Sequence, residues 1–220
     1  MTKPTSQEIT PADRDGSTEQ RILDAASVVF QRRGTAGARM QEIADQAGVN
    51  KALLHYYFRN KERLAEAVFG RVARLLLPAV LQIMASDLPL EEKVERVIGL
   101  YLDHLSRSPH LPAYLLSELH HNPDRPRQLI LAITGRSPEE IRPEVFGALR
   151  AQIAERVLAG TMRPIEPEQF IVNLLSLCVF PFAVRPMLLV MFGLDQAGFD
   201  RFIDLRRREL APFFLRALRP

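Results

Sequence analysis

Apolar residues recur along this chain at steps of three and four, and no convincing alternation at steps of two is present. The first stripe is Ile22, Ala26, Val29 and Phe30, one face of a helix. Its start is predicted at Ser17 or Thr18, where Ser17 and Gln20 have the spacing of a capping box. Gly34 closes it, with Arg32 and Arg33 in the last turn, where cations suit the helix dipole. A shorter stripe follows in Ile43, Ala44 and Ala47 and ends sharply at Gly48. The apolar Val49 pins the turn. Asn50 is a good N-cap for a third helix from Lys51 to about Phe58. Asn60 caps a fourth, which opens KERLAEAVF and runs to about Met84, with a kink expected at Pro78.

Beyond it the pattern predicts five or six longer helices. They span about Leu90 to Ser106, Ser108 to Asn122, Asp124 to Thr134, Ser137 to Ala159, Pro167 to Phe192 and Asp195 to Leu218. Ser137, Pro138 and Glu140 form a strong start signal: N-cap, first-turn proline and capping-box acid. Pro181 and Pro186 disturb the Pro167–Phe192 helix. No Asn-Gly or Asp-Gly hairpin signal appears. The fold class is therefore all-α. A small N-terminal helix-turn-helix domain of three helices (17–70) precedes a larger helical domain (71–220). Residues 1–16 carry no apolar core and read as a disordered arm, neither helix nor signal peptide.

Composition narrows the function classes. The 220 residues are 47% apolar, enough for a substantial core, and their formal net charge is +3. That mild basicity permits nucleic-acid binding without establishing it. Cys178 is the sole cysteine, so no internal disulfide forms, and within LLSLCVFPF it reads as a small buried hydrophobe. A cytoplasmic protein fits. No stretch reaches roughly 18 uninterrupted apolar residues, the length of a membrane span.

The segment MQEIADQAGVNKALLHYYFRNK, Met40 to Lys61, is the most informative. Two short helices around a tight turn form a helix-turn-helix, and a second helix of this size fits a DNA major groove. Residues 17–64 resemble the N-terminal domain of the TetR family of bacterial transcriptional regulators. The residues that carry the resemblance are ILDAASVVF, IADQAGV, LHYYF and NKERL. SELHHNP further on is similar to a segment common in one branch of that family.

The resemblance implies a set of DNA contacts. Lys51 and Ala52 would face base edges. His55, where the family commonly has Tyr, and Tyr56 would reach phosphate or base edges. Lys61 would meet a phosphate. Gln41 stands where the family often has Arg. Arg39 occupies the slot of the usual Thr or Ser cap and joins the set. Physical chemistry agrees: Lys51 and Lys61 gain from counterion release, Tyr56 holds a hydroxyl on a rigid arm, and Gln41 suits a bidentate contact to adenine. Leu53 is bulky where Thr is common, so the operator sequence is this chain's own. Tyr57 and Phe58 fall with Leu54 on the apolar side and read as core.

The resemblance also implies that the C-terminal helices enclose an apolar ligand pocket and join two copies of the chain. Pocket candidates are Tyr101, His104, Leu105, Tyr114, Leu115, Glu118, Phe146 and Phe170. Leu174, Leu175, Leu177, Val179, Phe180, Phe182, Leu188 and Leu189 are more apolar surface than one helix face of a monomer would hold, and they point to a homodimer. Glu118 and His121 lie three apart and could share a metal, with His104, His110 and His120 nearby. Without a cysteine or an HExxH, they read instead as polar residues at a pocket edge. No cofactor is expected.

Enzyme signatures are missing: no GxSxG, GxxxxGK[ST] or GxGxxG occurs. The expectation is a DNA-binding regulator, a repressor that a small apolar ligand releases from a palindromic operator. The alternative is an all-α enzyme or binding module that carries a helix-turn-helix. An enzyme has no need of the cationic, aromatic end of the second helix.

Overall fold

In the computed structural model, residues 11–109 and 111–220 are described, without the side chains of 11–16, 31, 72, 117, 118 and 121. Among them the chain is all α-helix, with no strand. Two compact units divide it, one up to Arg71 and one from Val72 to Pro220.

The first unit holds α1 (Pro11–Gly37), α2 (Met40–Ala47), α3 (Lys51–Phe58) and the start of α4 (Lys61–Ala85). Ile22, Ala26, Val29 and Phe30 are buried, and so are Ile43, Ala44 and Ala47. α1 begins earlier than its cap signal suggests, so Ser17 lies inside the helix and residues 11–16 are helical rather than part of an arm. Pro11 pre-sets the first-turn φ and needs no amide there. Residues 1–10 of the expected arm lie outside the described residues. Gly34 breaks α1 at φ 67°, ψ 166°, and a further turn carries the chain to Gly37.

The α2–α3 turn is a Schellman closure. Gly48 sits at φ 63°, ψ 38°. Its N–H donates to Asp45 O at 3.2 Å, and the Val49 N–H donates to Ala44 O at 3.0 Å. A side chain from another helix adds to it: Arg21 of α1 donates through Nη2 to Ala47 O at 2.7 Å and Gly48 O at 3.2 Å. That places a cation at the negative end of α2. Asn50 Oδ1 accepts from the Leu53 N–H at 2.7 Å and caps α3, a contact of about 1 kcal/mol. Asn60 Oδ1 caps α4 in the same way from Arg63 N at 2.9 Å.

α4 continues through Pro78 without a break in its helical assignment. By length and mean hydropathy α4 is apolar enough to cross a membrane; its Leu64, Ala65, Val68 and Phe69 are buried as core residues are.

The second unit contains α5 (Leu90–Arg107), α6 (Leu111–His121), α7 (Arg125–Thr134), α8 (Pro138–Leu158), α9 (Pro167–Ala183), α10 (Arg185–Phe192) and α11 (Gln196–Ala217). The Ser137–Glu140 capping box is formed in both directions. The expected Pro167–Phe192 helix is two helices, bent by 68°. Pro186 has no N–H to offer Phe182 O, so the ladder is cut, and Val184 takes the turn at φ −105°, ψ 19°. Pro181 remains inside α9.

α9 is the centre of this unit and packs on α5, α6 and α8. The apolar residues of α9 and α10 that point to a homodimer divide between core and surface. Leu174, Phe182 and Leu188 are buried in their own chain, and Leu175, Leu177, Val179 and Leu189 are half-buried. Phe180 is exposed. Among the described residues Lys93 of α5 is a buried charge that periodicity does not announce. Its ammonium is wholly enclosed and donates to Met84 O at 2.9 Å, near the C-terminal end of α4. Burial pulls its pKa below the usual lysine value, and the charge of Asp87 offsets part of the shift.

Candidate nucleic-acid interface

The side of α3 that leaves the core carries Lys51, Ala52, His55 and Tyr56, all exposed, and Arg59 just past the helix end is exposed too. Lys51, His55 and Arg59 step by four, and so do Ala52 and Tyr56, giving two adjacent rows. On the other side Leu54 and Phe58 are buried, which aims the rows outward. Tyr57 lies at the edge of the core, half-buried, with its ring edge-on to Tyr56 at 5.4 Å. Tyr56 itself is 75% exposed, so its hydroxyl is open to a partner.

From Gln46 to Lys61 the chain has no acid. The local field of this segment is therefore cationic, the sign that a phosphate backbone requires. His55 is held by its own helix end, with Nδ1 2.8 Å from Arg59 O. A carbonyl only accepts, so Nδ1 carries the proton. In the neutral ring Nε2 is then an acceptor, suited to a base amino group and not to a phosphate. Arg59 takes φ 54°, ψ −51°, a conformation that costs a non-glycine residue about 1–3 kcal/mol.

Two residues expected at the interface, Lys61 and Gln41, already make side-chain contacts. Lys61 Nζ donates to Ala36 O at 2.9 Å and Ala38 O at 3.2 Å, tying the start of α4 to the α1–α2 connection. Gln41 is exposed, and its Nε2 donates to Asp45 Oδ1 at 2.8 Å. A bidentate contact to adenine requires that amide to turn away from Asp45. Arg39 is the N-cap of α2, in extended backbone at φ −113°, and its side chain makes no cap hydrogen bond. The Glu42 carboxylate beside it is paired with Arg33 at 2.8 Å.

The ligand candidates lie in the second unit but do not converge on one described cavity. Leu105, Tyr114 and Phe170 are buried core, and Phe170 closes edge-on against Phe214 at 5.1 Å. Tyr101 and His104 are half-buried on α5, and Leu115 is half-buried on α6. Burial pushes the Tyr101 hydroxyl up to about 12, helped by Cys178. Burial, then Arg107, lowers the His104 pKa. Phe146 lines a cleft between α4, α7 and α8. The side chains of Glu118 and His121 lie outside the described residues, as does His110. Among the described residues no group of three metal-binding side chains gathers. Cys178 is buried, and burial raises its thiol to about 12, against the pull of Arg206.

A family model for bacterial regulatory proteins of the tetR family matches residues 22–68, from the stripe of α1 into α4. The chain belongs to the TetR family. Among TetR-family proteins it is similar to the HTH-type transcriptional regulator RutR of Escherichia coli K12, 30% identical over 157 residues, 68% of this chain and 66% of that protein. It is also similar to the HTH-type transcriptional repressor NicS of Pseudomonas putida, 27% identical over 145 residues, 65% of this chain and 67% of the relative. These matches span about two thirds of the relatives' length. The fold matches that of the TetR family regulator PfmR from Thermus thermophilus, with a TM-score of 0.63 at 19% identity over 89% of this chain and 97% of that one. SCO4942 from Streptomyces coelicolor matches at TM-score 0.61, 24% identity, 92% of this chain and 99% of that one.

Two residues of this candidate interface are not singled out by motif. Arg59 extends the Lys51–His55 row, a signal present in the spacing alone. Arg21 buttresses the turn from another helix, and nothing local in the sequence marks it.

Proposed function

We propose that this protein is a sequence-specific DNA-binding transcriptional regulator. It acts in the cytoplasm as a repressor, as a homodimer on a palindromic operator, and a small apolar ligand in the larger unit releases it. The outward face of α3 carries this reading: an acid-free cationic segment, an open tyrosine and a capped turn that presents them. Lys51 and Ala52 read base edges, His55 reaches a base, Tyr56 reaches a base or phosphate, Lys61 and Arg39 stand by the backbone, and Gln41 reaches a base or phosphate. The relatives' names as regulators and repressors favour a regulator over an enzyme.

A homodimer follows from the size of the reader. One eight-residue α3 spans few base pairs, whereas two set about 34–36 Å apart read a palindrome. Val172 and Phe180 of α9 and Leu205 and Phe213 of α11 are each more than half exposed. A groove of about 340 Å³ runs among Leu177, Phe202, Leu205 and Phe213, and a second copy would cover it.

Gel-shift titration tests the reading, with the full chain on the duplex upstream of its own gene and on a shuffled duplex. Tight binding to the first alone, by a species sedimenting at twice 24.9 kDa, is expected. Equal affinity for both duplexes overturns sequence-specific regulation.

A further inference from the structure

We propose that His55 is a specificity-determining residue that sorts bases by a single property. It selects an amino base, adenine or cytosine, and rejects a keto base, guanine or thymine. The proposal rests on the reading that α3 enters a DNA major groove, and it names what one position of each half-site presents there.

The first argument is the turn that ends α3. Arg59 stands at φ 54°, ψ −51°, and the Asn60 N–H donates back to Phe58 O at 2.5 Å. That is a γ-turn of the rare, strained hand. Among the described residues Arg59 is the one non-glycine at positive φ. Two hydrogen bonds close the turn on His55. The Arg59 N–H donates to His55 O at 2.9 Å, and Arg59 O accepts from His55 Nδ1 at 2.8 Å. Strain of this kind persists only where neighbouring contacts hold it, and the imidazole is one of those contacts. The strained carbonyl in turn fixes the ring.

The second argument is chemical. With Nδ1–H committed to a carbonyl, Nε2 of the neutral ring carries only a lone pair. His55 is exposed, so that lone pair is what the ring offers to DNA. A phosphate oxygen also only accepts, and no bond forms between the two. In the major groove each base pair has one amino group, on adenine N6 or cytosine N4, and its partner base shows a keto oxygen, thymine O4 or guanine O6. An acceptor therefore gains a hydrogen bond from adenine or cytosine and meets lone-pair repulsion from guanine or thymine. Exchanging the strands exchanges amino for keto, so the choice has a direction along the operator. Lys51, one helical turn earlier in the same row, has the opposite polarity, because an ammonium only donates. The row thus asks for an acceptor at the Lys51 position and an amino group at the His55 position.

Selection from randomised duplexes by the full-length protein tests this without a known operator. The wild type is expected to yield one position in each half-site where adenine and cytosine are kept and guanine and thymine are lost. His55→Ala should accept every base there and leave the other positions unchanged. A second measurement compares the selected duplex with one whose base at that position lacks only its amino group. Wild-type affinity should fall roughly fivefold, the factor of one hydrogen bond, and that of His55→Ala should not. The double-mutant cycle cancels any general weakening by the variant or by the altered base pair. Long-range proton–nitrogen spectra of the free wild type need no variant, and in mildly alkaline buffer they should show Nδ1 protonated and Nε2 bare. A proton on Nε2, equal losses in the cycle, or a His55→Ala protein that binds more weakly with its base preference intact would each overturn the proposal. A wild type that selects a defined sequence with no amino position would overturn it alone. A wild type that selects no sequence at all would overturn it together with the reading of sequence-specific regulation.

Discussion

Arg206 of α11 supplies the hydrogen bond that Leu177 of α9 cannot make within its own helix. Its Nε and Nη2 donate to Leu177 O at 3.1 and 2.7 Å. The helical partner of that carbonyl would be the amide of residue 181, and Pro181 has none. Burial lowers the pKa of the guanidinium, so the contact is made at a desolvation cost. A proline that would weaken α9 by itself becomes a docking point for α11.

Arg206→Ala is expected to lower the stability of the larger unit by about 1–3 kcal/mol, the range for a lost hydrogen bond to a charged group or an orphaned acceptor. In a Pro181→Ala background the carbonyl regains an amide, and the same substitution should cost less. Urea unfolding of the four proteins gives the coupling energy. Strictly additive losses would show that Arg206 acts elsewhere.

Lys61 should show two separable effects. Its bonds to Ala36 O and Ala38 O hold the connection ahead of α2, and its charge lies at the start of α4, where a phosphate is expected. Lys61→Ala is expected to weaken binding to all duplexes alike and to lower the salt slope by about one per subunit. It should also lower the unfolding midpoint in the absence of DNA. An unchanged salt slope would remove Lys61 from the phosphate contacts and leave it a structural clamp.

Lys51 and Tyr56 divide reading from positioning. Lys51→Ala should relax specificity at one position of each half-site, at about 1–3 kcal/mol for a good base contact. Tyr56→Phe keeps the ring and removes a hydroxyl, so its smaller loss should be the same on operator and random DNA. Wild-type behaviour by both variants at two salt concentrations would mean that α3 does not enter the major groove.

Lys93 makes stability depend on alkaline pH. A lysine whose folded pKa is lowered binds fewer protons when folded than when unfolded. Stability therefore rises with pH from the folded pKa up to the unfolded value of about 10.4. Relative to Lys93→Met, the wild type should gain between neutral pH and pH 10. Unfolding curves that keep a constant offset across that range would show that the ammonium is not desolvated in solution.

The N-terminal unit was legible because its determinants are local. Ile43, Ala44 and Ala47 bury one face, Gly48 reverses the chain and Asn50 restarts it, all within a few residues. The family motifs lie in the same stretch, so the candidate interface could be named from residues 39–61. What escaped there was long-range. Arg21 on the α2 carbonyls and Lys61 on the α1–α2 connection join residues more than 20 apart in sequence.

The larger unit was legible as helices and much less as surfaces. Ser137 and Glu140 announce α8 outright, and Pro167 opens α9. A run such as LLSLCVFPF is apolar on every side, and periodicity cannot say which side is core. Leu174 and Phe182 went inward because α9 is surrounded, and Phe180 did not. The pocket candidates dispersed for the same reason.

By itself, then, the amino-acid order determined the helical class, the turn that presents α3 and the charge that α3 displays. Those follow from backbone propensity, capping and net charge within one segment. Tertiary structure alone decided the burial of Lys93, the partner of Leu177 O and the cleft under α7. Each of these depends on what a distant helix places opposite, and neither spacing nor composition encodes that distance.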